Sequence, residues 1–81
     1  MRYNLENWLK EHFIREADGR YYTVSLEQDI MGQWVIRKTW GGNTKTAGVV
    51  KILPVEDIKT AEPLLKSIRN RRLSHGYSLT T

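Results

Sequence analysis

The chain contains no cysteine in its 81 residues, which removes disulfides and thiolate metal sites and makes a reducing compartment its simplest setting. It has no apolar run near the roughly 20 residues that a membrane-spanning helix needs. Met1, Arg2, Tyr3 and Asn4 lead into mixed polar sequence rather than the apolar core of a signal peptide. Repeats and low-complexity tracts are missing too. A cytoplasmic, non-membrane protein is therefore expected. Acids are scarce in the second half: after Asp29 only Glu56, Asp57 and Glu62 remain, whereas nine of the thirteen Lys and Arg lie from Arg37 onward. The net charge of +4 thus sits asymmetrically, and that excess favours a polyanionic partner.

Catalytic signals are equally thin, and no enzymatic activity, catalytic residue, cofactor or metal is expected. His12 has Glu16 four residues on, but one such pair is not a metal site, and His75 has no acid or histidine near it in sequence. The acids flank turns, where solvated carboxylates are usual. The glycine-rich stretch Gly41 to Gly48 lacks the Gly-Lys-Ser/Thr ending of a phosphate-binding P-loop.

Eighty-one residues make one domain, residues 1–81, that buries somewhat more than ~60% of its unfolded surface. Arg20 to Leu26 alternates, with Tyr22, Val24 and Leu26 on one side and Tyr21, Thr23 and Ser25 on the other, which predicts a half-buried strand. Asp18-Gly19 before it is a turn signal that points back to a preceding strand. Trp34 to Trp40 predicts a second strand on which Trp34, Ile36 and Trp40 share a face that Lys38 interrupts. Val49 to Leu53 predicts a third, closed by Pro54. Two readings fit the N-terminal stretch. One is a helix capped by Asn4 with Leu5, Trp8, Leu9, His12 and Phe13 on a stripe. The other, preferred near the turn, is a strand through Leu9 to Arg15.

The C-terminal segment predicts a helix with Ala61, Leu64, Leu65 and Ile68 as its apolar stripe. With Thr60 as N-cap, Pro63 takes the third helical position, where an N–H has no partner anyway. Gly76 suits a left-handed cap, and Arg71, Arg72 and His75 favour the negative end of the helix dipole. The expected fold is α+β, a twisted antiparallel β-sheet with one amphipathic C-terminal helix packed across it. Arg72 continues the stripe of Ala61, Leu65 and Ile68, so it can snorkel, stack on an aromatic or reach a ligand. Arg69 flanks it. Trp40, beside glycines and cations, reads equally as a core residue or as a contact surface.

The ordered signals "LEQDIMGQWVIRKTWGG", a later Gly48 and a helix ending "RRLSHGY" resemble the WGR domain. That domain occurs in poly(ADP-ribose) polymerases and, alone or fused, in many bacterial proteins. The resemblance covers residues 21–77, leaving 1–19 as an N-terminal extension and first strand. It implies a twisted sheet crossed by one helix, and binding at DNA ends in which the motif tryptophan packs on sugar. That role would fall to Trp40, with Gly41 allowing close backbone approach. The motif arginine would fall at position 42, where this chain has Gly42, so a principal cationic contact of the family is missing. The resulting expectation is a small, monomeric nucleic-acid-binding module, with DNA favoured over RNA. Its contact residues would be Trp40, Gly41, Arg37, Lys38, Lys45, Arg69 and Arg72. The alternative is a protein-interaction module without nucleic-acid affinity.

Overall fold

The computed structural model describes residues 10–42 and 48–80. The elements are β1 (Lys10–Arg15), β2 (Arg20–Gln28), β3 (Trp34–Gly41), β4 (Val49–Pro54), α1 (Ile58–Ser74) and β5 (Ser78–Leu79). All five strands pair antiparallel in the order β4-β3-β2-β1-β5, so the α+β expectation holds. The strand reading near the Asp18-Gly19 turn also holds: β1 pairs with β2 from Lys10↔Ser25 to Arg15↔Arg20. The helical alternative drew on Asn4, Leu5, Trp8 and Leu9, which lie outside the described residues, as does Lys45. The two-residue β5, which pairs with β1 through Phe13↔Leu79, carries no periodic signal and is a product of the fold.

Strand alternation assigns the core. Phe13, Tyr22, Val24, Leu26 and Ile36 are buried on one face, where α1 lies across them and adds Ala61. Each fully buried apolar side chain of this size contributes about 1.5–3 kcal/mol of transfer free energy. The register stacks them in rows: Phe13 opposite Tyr22 opposite Trp40, and Leu26 opposite Ile36 opposite Leu53. The other face is more polar. There Ser25 Oγ donates to Glu27 Oε2 at 2.7 Å, Arg37 Nε donates to Glu27 Oε1 at 3.2 Å, and His12 Nδ1 lies 2.7 Å from Thr23 Oγ1.

The helix begins earlier than Thr60. Asp57 is the N-cap, its Oδ1 accepting from Thr60 N at 2.7 Å, and Ile58 is the first helical residue. Pro63 therefore sits at the sixth position rather than the third, and the hydrogen bond it forgoes would have gone to Lys59, an exposed residue. Water can serve that carbonyl, while an earlier start gains the Asp57 cap and brings Ile58 onto the core. The apolar stripe shifts accordingly to Ile58, Ala61, Leu65 and Ile68, and Leu64 is 45% exposed on its flank. At the other end Gly76 N donates to Leu73 O at 3.3 Å and Tyr77 N to Arg72 O at 3.0 Å, the paired bonds of a Schellman cap. Gly76 holds φ +88°, a conformation that glycine adopts without a Cβ penalty. This cap turns the chain into β5 and buries Tyr77 in the core.

Candidate functional site

Because the side chains of a strand alternate, Lys38 projects from β3 on the face that α1 covers, between Ile36 and Trp40. Its cross-strand neighbour on β4 is Lys51, a like-charge pair that is unfavourable in a sheet. Where α1 passes over this part of the sheet, a cleft of about 160 Å³ opens between helix and β3, lined by Tyr22, Lys38, Ser67, Ile68, Arg71 and Arg72. Three of the six are cations and none is a carboxylate. Partial burial, with Lys51 and Arg72 nearby, pushes the Lys38 ammonium below its ordinary pKa of 10.5.

Arg72 reaches this place as the last member of the helix stripe. Its guanidinium carbon lies 4.4 Å from the centroid of the Tyr22 ring and 5.4 Å from that of Tyr77. Arg72 Nε is buried and has no hydrogen-bond acceptor among the described residues. Trp40 stacks on Tyr22, with ring centroids 5.7 Å apart and planes 15° from parallel. Tyr22 thus joins Trp40 to Arg72, and the phenol at the centre is pushed up in pKa by burial. Among the described residues the carboxylate pairs are made by Arg15 and Arg20 with Asp18, Arg37 with Glu27, and Arg69 with Glu11. Lys38, Lys51, Arg71 and Arg72 have no such partner there.

The structure therefore sorts the expected contact residues. Trp40, Lys38 and Arg72 come together on the helix face. Arg69 lies on that face but is held by Glu11 of β1, its Nε donating to Oε1 at 3.1 Å in a two-pronged pair. Arg37 projects from the opposite face and pairs with Glu27. Gly41 has an internal reason to be glycine, since a Cβ there would stand 2.9 Å from Tyr21 Cε1. Gly42, in contrast, has nothing among the described residues within 4 Å of an added Cβ. Arg71, Ser67 and Tyr22 complete the cleft and were absent from the expected contact set. The spacing of Ser67 and Arg71, one helical turn apart, was the available signal, but Tyr22 and Lys38 join them only through the helix's crossing position.

Charge is also polarised in space. Glu27 and Asp29 lie where β2 turns into β3, Glu27 paired with Arg37, and Glu56, Asp57 and Glu62 lie where β4 runs into α1, with Lys59 among them. The cleft lies toward the other end of β3. Among the described residues, no group of three or more His, Asp or Glu is placed to hold a metal, and no helix is long and apolar enough to cross a membrane. No family model, curated protein or solved structure matches the chain.

Proposed function

We propose that this protein is a non-enzymatic, cytoplasmic nucleic-acid-binding module, with DNA favoured, that meets its ligand at the cleft between α1 and β3. The observation that carries this reading is the convergence of Lys38, Arg71 and Arg72, without a carboxylate, beside Trp40. Cations that have no carboxylate partner among the described residues and meet at one place are available to phosphates, and neutralising phosphates releases counterions from the nucleic acid. An indole edge next to that patch gives a sugar or an unstacked base a surface to pack on. The resemblance to the WGR domain supports the same reading, although Gly42 stands where that family has its arginine.

The test is fluorescence anisotropy with a blunt 5′-phosphorylated duplex, a closed dumbbell and a single strand, across a salt series. Neutralising two to four phosphates predicts a log–log salt slope of roughly −2 to −4, with micromolar affinity. Indifference to all three ligands at high protein concentration would sink the reading. A second reading, a protein-interaction module, is favoured by a separate observation. Ile30 and Met31 stand fully exposed at the β2–β3 turn. Asp29 Oδ1 pins that turn by accepting from Met31 N and Gln33 N, both at 2.9 Å. An exposed apolar pair on a hydrogen-bonded turn beside Asp29 suits a protein pocket better than a polyanion.

A further inference from the structure

We infer that the cleft lined by Lys38, Ser67, Arg71 and Arg72 is a phosphate subsite, taking one anionic phosphate group as a discrete ligand. This deepens the nucleic-acid reading and rests on the same cleft. Its source is either a phosphate of a nucleic-acid backbone or a free condensed phosphate, since the recognition chemistry is shared.

Three observations carry it. The first is size. The cleft of about 160 Å³ has room for a phosphate group together with bound water. The second is charge. Lys38 stands opposite Lys51 and near Arg72, an arrangement whose mutual repulsion no carboxylate among the described residues relieves. An anion placed between them adds two attractive interactions for each repulsive pair. The third is preorganisation. Arg72 is fixed over Tyr22 at 4.4 Å and leaves Nε without an acceptor among the described residues, so its charge is held in place with no counterion among them. Arg71 and Ser67, one turn apart on the helix, add a charged and a neutral donor to the same wall. A diffuse basic surface would have none of these: its lysines would be solvated, mobile and apart.

The experiment titrates the full chain with sodium pyrophosphate and then orthophosphate at constant ionic strength, with chloride as control. It follows backbone amide shifts by NMR and heat by calorimetry. Saturable one-to-one binding that moves the amides of Lys38, Ser67, Arg71 and Arg72 is expected. Lys38→Gln and Arg71→Gln should each weaken it roughly tenfold to hundredfold, as for loss of a charge-assisted hydrogen bond. Both positions are outside the core, and thermal melts of each variant confirm that the fold is retained. Shifts that match the chloride control, or binding that both variants leave unchanged, overturn the inference. A duplex-displacement arm separates the sources. If pyrophosphate displaces duplex DNA at constant ionic strength, the cleft holds a backbone phosphate. If pyrophosphate binds but no nucleic acid does, the inference stands with a free condensed phosphate as the ligand, and the nucleic-acid reading falls. If duplex binds while pyrophosphate neither binds nor competes, the inference falls and the broader reading survives.

Discussion

Replacing Arg72 by methionine separates what that residue does for the fold from what it does for a ligand. The substitution removes the guanidinium from its places 4.4 Å from the Tyr22 centroid and 5.4 Å from that of Tyr77. Each such cation–π contact contributes about 0.5–2 kcal/mol depending on desolvation, and the charge at the helix end a further ~0.3–1 kcal/mol. Against this, the variant no longer buries an N–H without an acceptor, a defect costing about 1–3 kcal/mol, and it relieves the repulsion of Lys38. Methionine keeps an unbranched stem against the two rings and regains about 0.3–1.5 kcal/mol of sulfur–aromatic contact. The gains and losses nearly cancel. Arg72→Met should therefore change stability by no more than about 1 kcal/mol, or roughly 4–8 °C in melting temperature for a domain of this size. At the same time the Lys38 ammonium should titrate higher than in the parent, because one of the charges that lowers it has gone. Thermal and urea unfolding give the first quantity, and an NMR titration of the lysine side chains gives the second. A loss of about 3 kcal/mol or more would refute the reasoning, since it would make Arg72 a packing element retained for the core alone.

Gly41→Ala should cost about 1–3 kcal/mol by overpacking against Tyr21, and most of that penalty should vanish in a Tyr21→Ala background, as a double-mutant cycle by urea unfolding would show. Gly42→Arg meets no described residue and a backbone outside the left-handed region, so its stability by urea unfolding should stay within about 0.5 kcal/mol of the parent's while duplex affinity by anisotropy rises. Gly76→Ala should lose about 1–2 kcal/mol from its positive φ alone, because the new Cβ would meet Arg15 Cδ at an ordinary 3.5 Å. The carboxyls of Asp18, hydrogen-bonded by Arg15, and Asp57, hydrogen-bonded by Thr60 N, are both held below their ordinary value of 3.8. Their contribution is complete above that value and is lost as pH falls through the lower, folded-state values. Acid unfolding should therefore begin below about pH 4 and be less steep in Asp57→Asn, read by circular dichroism.

The order of strands and helix was legible in the residues because each element declares its own period. Tyr22, Val24 and Leu26 alternate, Ala61, Leu65 and Ile68 recur at helical spacing, and Asp18-Gly19 and Gly76 punctuate the chain. Those signals are local, and so they survive without knowledge of what packs where. The helix start at Ile58 is not legible in this way, for the same reason. Position within a helix sets the cost of Pro63, but the Asp57 cap and the burial of Ile58 outweigh it only once the sheet is in place. The candidate contacts depended still more on tertiary structure. Arg37 and Lys38 are neighbours in sequence, yet the pleat sends one to Glu27 on the polar face and the other into the cleft. Arg69 and Arg72 lie almost one turn apart, yet Glu11 of β1 neutralises the first while Tyr22 and Tyr77 hold the second over an aromatic floor. Sequence by itself determined that the chain is basic, α+β and rich in unspent positive charge. Which of those charges remain unspent was decided by strand register and by the path of the helix, because ion pairing depends on distances that close only when the sheet and helix meet.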